Sequence, residues 1–163
     1  MNTATDYISN LVEKYADTVL RVSYTYLNNK ADAEDVVQDV FLKVMEKRPE
    51  FNDSTHEKAW LLRTAINMCK NKTNLFWNKN KCSIDEIAEF SALDSYSTDN
   101  SVLKAVMSLP EKYRIPVYMF YYEGYSTAET AKILGKNEAT IRSNLSRARE
   151  KLKTILKEEY DFE

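Results

Sequence analysis

The chain has 163 residues, of which 44% are hydrophobic and 29% are charged, and its formal net charge is −2, as is typical of a globular protein with one medium domain or two small ones. No segment approaches the roughly 20 apolar residues of a membrane span, and the N-terminus lacks the basic start and apolar core of a signal peptide, so we expect a cytoplasmic protein without membrane insertion. Two cysteines without CxxC spacing and one histidine exclude a zinc site or a Cys/His nucleophile, and we expect no cofactor, no metal and no enzymatic activity.

Residues that form turns are scarce, with only two glycines and three prolines. This scarcity favours long helices over a many-stranded sheet. In the first predicted helix, apolar residues recur at steps of four, four, three and four: Leu11, Tyr15, Val19, Val22 and Tyr26. The polar run Asn28-Asn29-Lys30 predicts its end.

A second helix is predicted to begin with Asp32 as its N-cap and to end before Pro49. Its apolar face consists of Val36, Val37, Val40, Phe41 and Val44. The opposite face carries three polar side chains: Asp35, Gln38 and Asp39.

A third helix is predicted from Ser54 or Thr55 to about Asn74. Its buried positions are Ala59, Leu62, Ile66 and Cys69, and its polar side carries Arg63, Asn67, Lys70 and Asn71. Three large aromatics lie nearby in the sequence: Trp60, Phe76 and Trp77. A basic, amide-rich face beside aromatic rings is typical of surfaces that bind single-stranded nucleic acid. The alternative, that Trp60 and Trp77 pack in a core, stays open.

Residues 83–100 are acidic and lack strong periodicity, which predicts a linker. A C-terminal module of four helices follows, from about 101 to 157. One of these helices is predicted from Glu111 to about Glu123 with a bend at Pro116. We expect its aromatic residues to lie in the core: Tyr118, Phe120, Tyr121 and Tyr122.

The next two helices have the features of a helix-turn-helix. Ser126 and Glu129 form a capping box at the start of the first, and its apolar residues are Ala128, Ala131 and Leu134. Gly135 then predicts a left-handed C-terminal stop. Asn137 is a suitable N-cap for the second helix.

The second helix of this pair is amphipathic and basic. Its predicted buried stripe is Ile141, Leu145, Ala148, Leu152 and Ile155, and its outward stripe is Arg142, Ser146, Arg149 and Lys153, with Ser143 and Arg147 beside it. Residues 140–157 contain six basic side chains and one acid, which suits phosphate. An ordinary solvated helix face is the alternative for the charges alone, but the capping box and the glycine turn favour a DNA-binding helix.

Two sequence blocks resemble the two conserved domains of bacterial RNA polymerase sigma factors of the extracytoplasmic-function type. The first block is ADAEDVVQDVFLKV followed by KAWLLRTAINMCKN, and the second is LPEKYRIPVYMFYYEGYSTAETAKILG followed by TIRSNLSRAREKL. Their order and spacing are more specific than either block alone. The resemblance implies an all-α protein with two small helical domains, 1–82 and 101–163, joined by the acidic linker 83–100, the second domain containing the helix-turn-helix.

The resemblance also implies three binding surfaces. Core RNA polymerase, through the clamp helices of its largest subunit, would bind Asp35, Gln38 and Asp39. Arg63 and Asn67 would lie against the minus-ten strand of promoter DNA, and Trp60, Lys70 and Asn71 are predicted to join them because they lie beside them on the third helix. Arg142, Ser143, Ser146 and Arg147 would face the minus-thirty-five duplex, and Thr140 and Arg149 of the same helix are predicted to join them. An anti-sigma protein is a further partner expected of this family.

The chain departs from the family pattern at two positions. Ala139 replaces the glycine of a Gly-Thr pair, and Asn144 replaces an arginine, which removes one expected DNA contact. The rival interpretation is a stand-alone helix-turn-helix regulator that binds an operator as a dimer. That interpretation does not explain the Asp35 face or the amide-rich third helix.

Overall fold

The computed structural model describes residues 3–76 and 100–160. These two ranges contain seven α-helices and one π-helical segment and no β-strand, so the all-α prediction is confirmed. None of these helices is long and apolar enough to cross a membrane. The helices group into two compact units.

The first unit consists of three helices that all pack against one another: α1 (Thr3–Leu27), α2 (Lys30–Lys47) and α3 (Ser54–Phe76). Every apolar residue predicted for the α1 stripe is buried. The chain turns between α1 and α2 at Asn28, whose φ is 57°. Asparagine tolerates this left-handed conformation better than most residues, so the polar run ends α1 as predicted.

The prediction that Asp32 caps α2 was wrong. Asn29 is the N-cap, and its Oδ1 accepts the Asp32 backbone N–H at 2.8 Å. The left-handed Asn28 directly before it fixes where the helix begins, and Asp32 consequently lies in the first turn. The predicted end is confirmed, because Arg48 adopts φ 46° and donates its backbone N–H to the Val44 carbonyl just before Pro49.

The third helix follows its predicted bounds closely. Leu62, Ile66 and Cys69 are buried as predicted, whereas Ala59 is half-buried. A polar contact ties the start of α3 to α1, since the Tyr15 hydroxyl donates to Glu57 Oε1 at 2.8 Å. Burial, together with this hydrogen bond, raises the pKa of Tyr15.

The second unit consists of four α-helices and the π-helical segment: α4 (Asn100–Met107), α5 (Glu111–Val117), the π-helical segment (Tyr118–Tyr122), α6 (Thr127–Leu134) and α7 (Glu138–Tyr160). Helices α4, α5 and α6 all contact α7. The four predicted helices are therefore confirmed, with α7 as their common packing partner.

The π-helical segment changes which aromatic residues are buried. Pro116 has no N–H to donate within the helix, and after Val117 the hydrogen bonds lengthen by one residue, with the Glu123 N–H bonded to the Tyr118 carbonyl at 3.1 Å. Each such hydrogen bond encloses one residue more than in an α-helix, so the side chains that follow are rotated about the helix axis. Tyr118 is buried, but Tyr121 is 54% exposed and Tyr122 is 38% exposed, so the prediction that both lie in the core was wrong.

Most of the predicted linker 83–100, and Trp77, lie outside the described residues. Asn100 already belongs to α4. The boundaries 1–82 and 101–163 therefore stay predictions.

Candidate protein and nucleic-acid interfaces

One face of α2 is exposed and acidic. Asp35, Gln38 and Asp39 all lie on the surface, opposite the buried Val36 and Val40. Asp35 Oδ2 is 3.8 Å from Lys72 Nζ, and its side chain is 62% exposed. An exposed pair of this kind contributes little to stability, so Asp35 remains available to a partner.

Two large apolar side chains extend the same face by one further turn. Leu42 is 59% exposed and Met45 is 52% exposed. The sequence analysis missed them, although Leu42 lies three residues after Asp39 and Met45 three residues after Leu42, a spacing that makes successive neighbours on a helix. We call Asp35, Gln38, Asp39, Leu42 and Met45 the α2 surface. Exposed apolar side chains with polar neighbours are typical of protein interfaces.

The polar side of α3 is exposed as predicted. Arg63, Asn67 and Asn71 recur at steps of four and are exposed, and Lys70 is half-buried beside them. Trp60 lies one turn before Arg63 and is half-buried. The structure therefore places all five predicted minus-ten residues on one helix, with the indole at one end of the face.

An open cavity of about 470 Å³ borders this face. It lies between α2 and α3, and its lining residues are Lys43, Lys47, Pro49, Trp60, Arg63, Thr64 and Asn67. The sequence analysis missed the two α2 lysines, because only the packing of α2 against α3 brings them to Trp60. The cavity thus combines cations, an indole and an amide.

The loop before α3 supports the Trp60 ring. The Phe51 ring meets the Trp60 ring edge to face, with centroids 5.8 Å apart, and it meets the His56 ring at 5.4 Å. His56 Nδ1 accepts the Asn52 backbone N–H at 3.1 Å. The backbone N–H of His56 donates to Asp53 Oδ1 at 2.8 Å. These contacts fix the loop beside the cavity.

The helix-turn-helix has the predicted caps. Ser126 Oγ accepts the Glu129 N–H at 3.0 Å, and Glu129 Oε1 accepts the Ser126 N–H at 2.9 Å, so the prediction of a capping box is confirmed. Hydrogen bonds from the Ser126 backbone and hydroxyl lower the pKa of Glu129. Gly135 is left-handed with φ 69°, and Asn137 Oδ1 accepts the Thr140 N–H at 2.9 Å.

The packing face of α6 differs from the prediction at three positions. Ala128 is exposed, whereas the buried residues are Thr130, Ala131, Ile133 and Leu134. A helix of eight residues buries whichever side meets its neighbours, and α6 contacts both α7 and the π-helical segment. Ala128 lies outside that contact.

The DNA-facing prediction for α7 agrees with its exposure. Ile141, Leu145 and Ala148 are buried, and Leu152 and Ile155 are half-buried. The exposed residues include those predicted to bind the minus-thirty-five duplex: Thr140, Arg142, Ser143, Ser146, Arg147 and Arg149. Asn144, which replaces the family arginine, is buried and adds nothing to this surface.

Glu138 connects the two helices of the motif. Its Oε2 accepts a hydrogen bond from the Thr127 hydroxyl of α6 at 3.0 Å, and its Oε1 accepts one from Arg142 Nη1 at 3.1 Å. Each carboxylate oxygen therefore has a different partner. The guanidinium of Arg142 is oriented by a residue that is itself tied to α6.

Arg149 lies against the π-helical segment. Its Nε donates to the Tyr121 hydroxyl at 2.6 Å, and its guanidinium carbon is 6.0 Å from the Phe120 ring centroid and 5.7 Å from the Tyr121 centroid. A guanidinium this close to two aromatic rings is attracted to them by cation–π interaction. One donor of Arg149, its Nε, is therefore already bonded within the protein.

Two family profiles match the chain. The profile for Sigma-70 region 2 matches residues 11–74, and the profile for Sigma-70, region 4 matches residues 99–152. The first range covers most of the α1–α3 unit. The second covers α4 to α6 and most of α7.

Curated relatives extend the likeness along almost the whole chain. It is 24% identical to the ECF RNA polymerase sigma factor SigW of Bacillus subtilis (strain 168), over 94% of this chain and 90% of that protein. It is 30% identical to the ECF RNA polymerase sigma factor BldN of Streptomyces coelicolor, over 93% of this chain but only 61% of that protein.

Solved structures share the fold. The sigma factor RpoE of Bartonella quintana, in complex with the anti-sigma factor NepR, matches with a TM-score of 0.70 at 22% identity, covering 91% of this chain and 96% of that one. CnrH, in complex with the cytosolic domain of CnrY, matches with a TM-score of 0.68 at 20% identity, covering 93% of this chain and 88% of that one. The helices, the two matched regions and the relatives agree, and the chain belongs to the sigma-70 family of factors that direct RNA polymerase, within its extracytoplasmic-function group.

Proposed function

We propose that this chain is a dissociable initiation subunit that binds core RNA polymerase, binds the minus-thirty-five duplex and helps to open the minus-ten element, without chemistry of its own. One observation carries the proposal: the described residues present three exposed surfaces of different chemistry. These are the acidic and apolar α2 surface, the cationic aromatic cavity beside α3, and the basic face of α7. Residues 1–82 would form the first domain and residues 101–163 the second, with 83–100 as the linker in the cytoplasmic protein.

The α2 surface would bind the clamp helices of the largest polymerase subunit. Its two carboxylates repel DNA but complement a basic protein surface. Leu42 and Met45, both more than half exposed, would become buried on binding and supply apolar contact area. The combination favours a protein partner for this face.

The cavity beside α3 would hold an unpaired base of the minus-ten strand. Opening costs a few kcal/mol for each unstacked base. Stacking on an aromatic ring returns roughly 1–3 kcal/mol per base, and Trp60 is available at the cavity wall. Lys43, Lys47 and Arg63 would contact backbone phosphates, and the Asn67 amide can hydrogen-bond with the edge of a base.

The α7 helix would lie in the major groove of the minus-thirty-five duplex. Arginine can donate two hydrogen bonds to guanine, and Arg142 is exposed and oriented by Glu138. Thr140, Ser143, Ser146 and Arg147 share the exposed side. The net charge of −2 predicts weak binding to free DNA, but the polymerase would raise the effective concentration of each contact.

Replacement of Glu138 with Gln tests how Arg142 is oriented. Arg142→Ala should cost about 1–3 kcal/mol at one base pair and relax the preference there. Glu138→Gln should lose part of the same preference, because the charged hydrogen bond is weakened, while affinity for unrelated DNA is maintained or increased. Competition binding of the holoenzyme to single-base variants of the element, at fixed salt, measures both. Full preference in Glu138→Gln, beside a loss in Arg142→Ala, would show that Glu138 does not orient the arginine.

An anti-sigma protein is a further proposed partner. RpoE of Bartonella quintana was solved with the anti-sigma factor NepR, and it shares the fold of this chain. An inhibitor that covered Leu42 and Met45 would block the surface proposed for polymerase. Transcription by core polymerase with and without the chain tests the function as a whole. A sigma factor makes promoter-specific transcription by the core depend on the chain, whereas a stand-alone regulator would bind an operator without polymerase.

A further inference from the structure

Three cationic side chains from two helices surround Tyr113 of α5. Lys112 Nζ lies 5.0 Å and Lys151 Nζ lies 5.6 Å from the Tyr113 ring centroid. Arg147 of α7 is within hydrogen-bonding reach of the Tyr113 hydroxyl. Tyr113 is only 7% exposed, whereas the three cationic residues are exposed. The ammonium groups of the two lysines therefore lie over the buried ring, and the side chains that carry them are open to solvent.

No carboxylate of the described residues pairs with these three cations. Ion pairs with carboxylates are found elsewhere in the described part of the chain, for example at Lys14, Lys72 and Arg142. Burial by itself raises the pKa of the Tyr113 hydroxyl, but hydrogen bonding and the positive charges of Lys112 and Arg147 outweigh burial and lower that pKa. The local field thus favours a negative charge. Like charges around one ring repel one another, and a bound anion would relieve that repulsion.

We propose that Lys112, Arg147 and Lys151, with the Tyr113 hydroxyl, bind one backbone phosphate of duplex DNA. This inference rests on the proposed function of α7. Arg147 and Lys151 are four residues apart and so share one side of α7, the flank of its exposed surface away from Arg142. Lys112 adds a contact from α5, a helix outside the helix-turn-helix.

The expected role of this site is to set the orientation of α7 in the groove. Phosphate contacts fix the register of a protein on the duplex but carry no sequence information. A contact made jointly by α5 and α7 would clamp the duplex at an angle that a single helix cannot define. The exposed, open arrangement of the three charged ends suits a phosphate on a large DNA surface better than a small enclosed anion.

A salt series on promoter DNA tests the site. Holoenzyme assembled with wild type, Lys112→Ala or Lys112→Ala/Lys151→Ala is titrated with duplex that carries the minus-thirty-five element. The slope of log K against log salt should fall by up to about 0.9 in the double variant, because at most one phosphate is no longer neutralised, and by less in the single variant, equally for every promoter sequence. Lys104→Ala, which removes an exposed lysine of α4, is the matched control and should leave the slope unchanged. Thermal melting confirms that each variant is folded.

Methylphosphonate substitution locates the phosphate. One neutralised position should weaken wild-type binding but have no effect on the double variant. The site would be overturned by equal salt slopes for wild type and double variant. It would also be overturned if methylphosphonate at every position weakened binding of the double variant as much as binding of wild type. A second experiment titrates the chain with inorganic phosphate at constant ionic strength and monitors binding by NMR chemical shifts. Saturable shifts that the double variant loses, beside an unchanged DNA slope, would assign the site to a free anion and overturn the DNA contact.

Failure of this inference is distinct from failure of the proposed function. A wild-type holoenzyme that does not bind promoter duplex would refute the function of α7. Specific binding with identical salt slopes in all variants would refute only the phosphate site.

Discussion

Reversing Asp35 and Asp39 to Lys should abolish binding to core RNA polymerase while the chain stays folded. Both carboxylates are exposed on α2, so their replacement removes no buried contact. A basic partner surface that attracts the two carboxylates would repel two lysines, and close like charges at an interface cost several kcal/mol. We expect affinity to fall at least about 100-fold, equivalent to about 2.8 kcal/mol. Fluorescence anisotropy of labelled chain titrated with core enzyme measures the loss.

The matched control reverses Glu13 and Asp17, two exposed acids of α1. It changes the net charge equally and should bind normally. Leu42→Ala/Met45→Ala tests the apolar part of the α2 surface and should also weaken binding, since both side chains are more than half exposed and would be buried by the polymerase. Normal affinity in a folded Asp35→Lys/Asp39→Lys chain would remove α2 from the polymerase interface.

Asn67→Ala should impair opening of the minus-ten element and leave core binding and minus-thirty-five binding nearly intact. Asn67 is exposed and lines the cavity with Trp60 and Arg63, so it is placed to hydrogen-bond with an unpaired base. A lost contact of this type costs on the order of 1–3 kcal/mol, which lowers the population of the open complex about 5–150-fold. Permanganate reactivity of promoter thymines reports the open strands directly.

A purely structural role of Asn67 gives a different result. It would lower the melting temperature of the chain without changing strand opening, and that outcome would refute the DNA role. Asn10→Ala, at an exposed position of α1, is the matched control and should show wild-type reactivity. Trp60→Ala should resemble Asn67→Ala in footprinting, because it removes the stacking surface.

Local rules predicted the features that depend on neighbouring residues. The capping box of Ser126 and Glu129 and the left-handed Gly135 follow from a few residues of sequence, and both are present. The α1 stripe depends only on helical spacing, and all its members are buried. Where two residues satisfied the same rule the choice was wrong: Asn29 and Asp32 are both good N-caps, and the conformation of Asn28 selects Asn29.

Features that depend on tertiary packing could not be predicted. The π-helical segment after Pro116 turns Tyr121 toward solvent and Arg149, although Tyr121 was predicted to lie in the core. Lys43 and Lys47 reach Trp60 only because α2 packs beside α3. Leu42 and Met45 are a different case, because both lie outside the predicted apolar face of α2 and are exposed. They were missed because only polar residues were assigned to the opposite face.

The most direct test of the central claim is run-off transcription with purified core RNA polymerase on a pool of genomic promoter fragments. With the chain added, we expect discrete transcripts from a small set of fragments that share one duplex element and one melted element at constant spacing. Core enzyme alone should give none of them. The same transcripts without the chain, or no new transcripts with folded chain bound to the core, would contradict its function as a sigma factor.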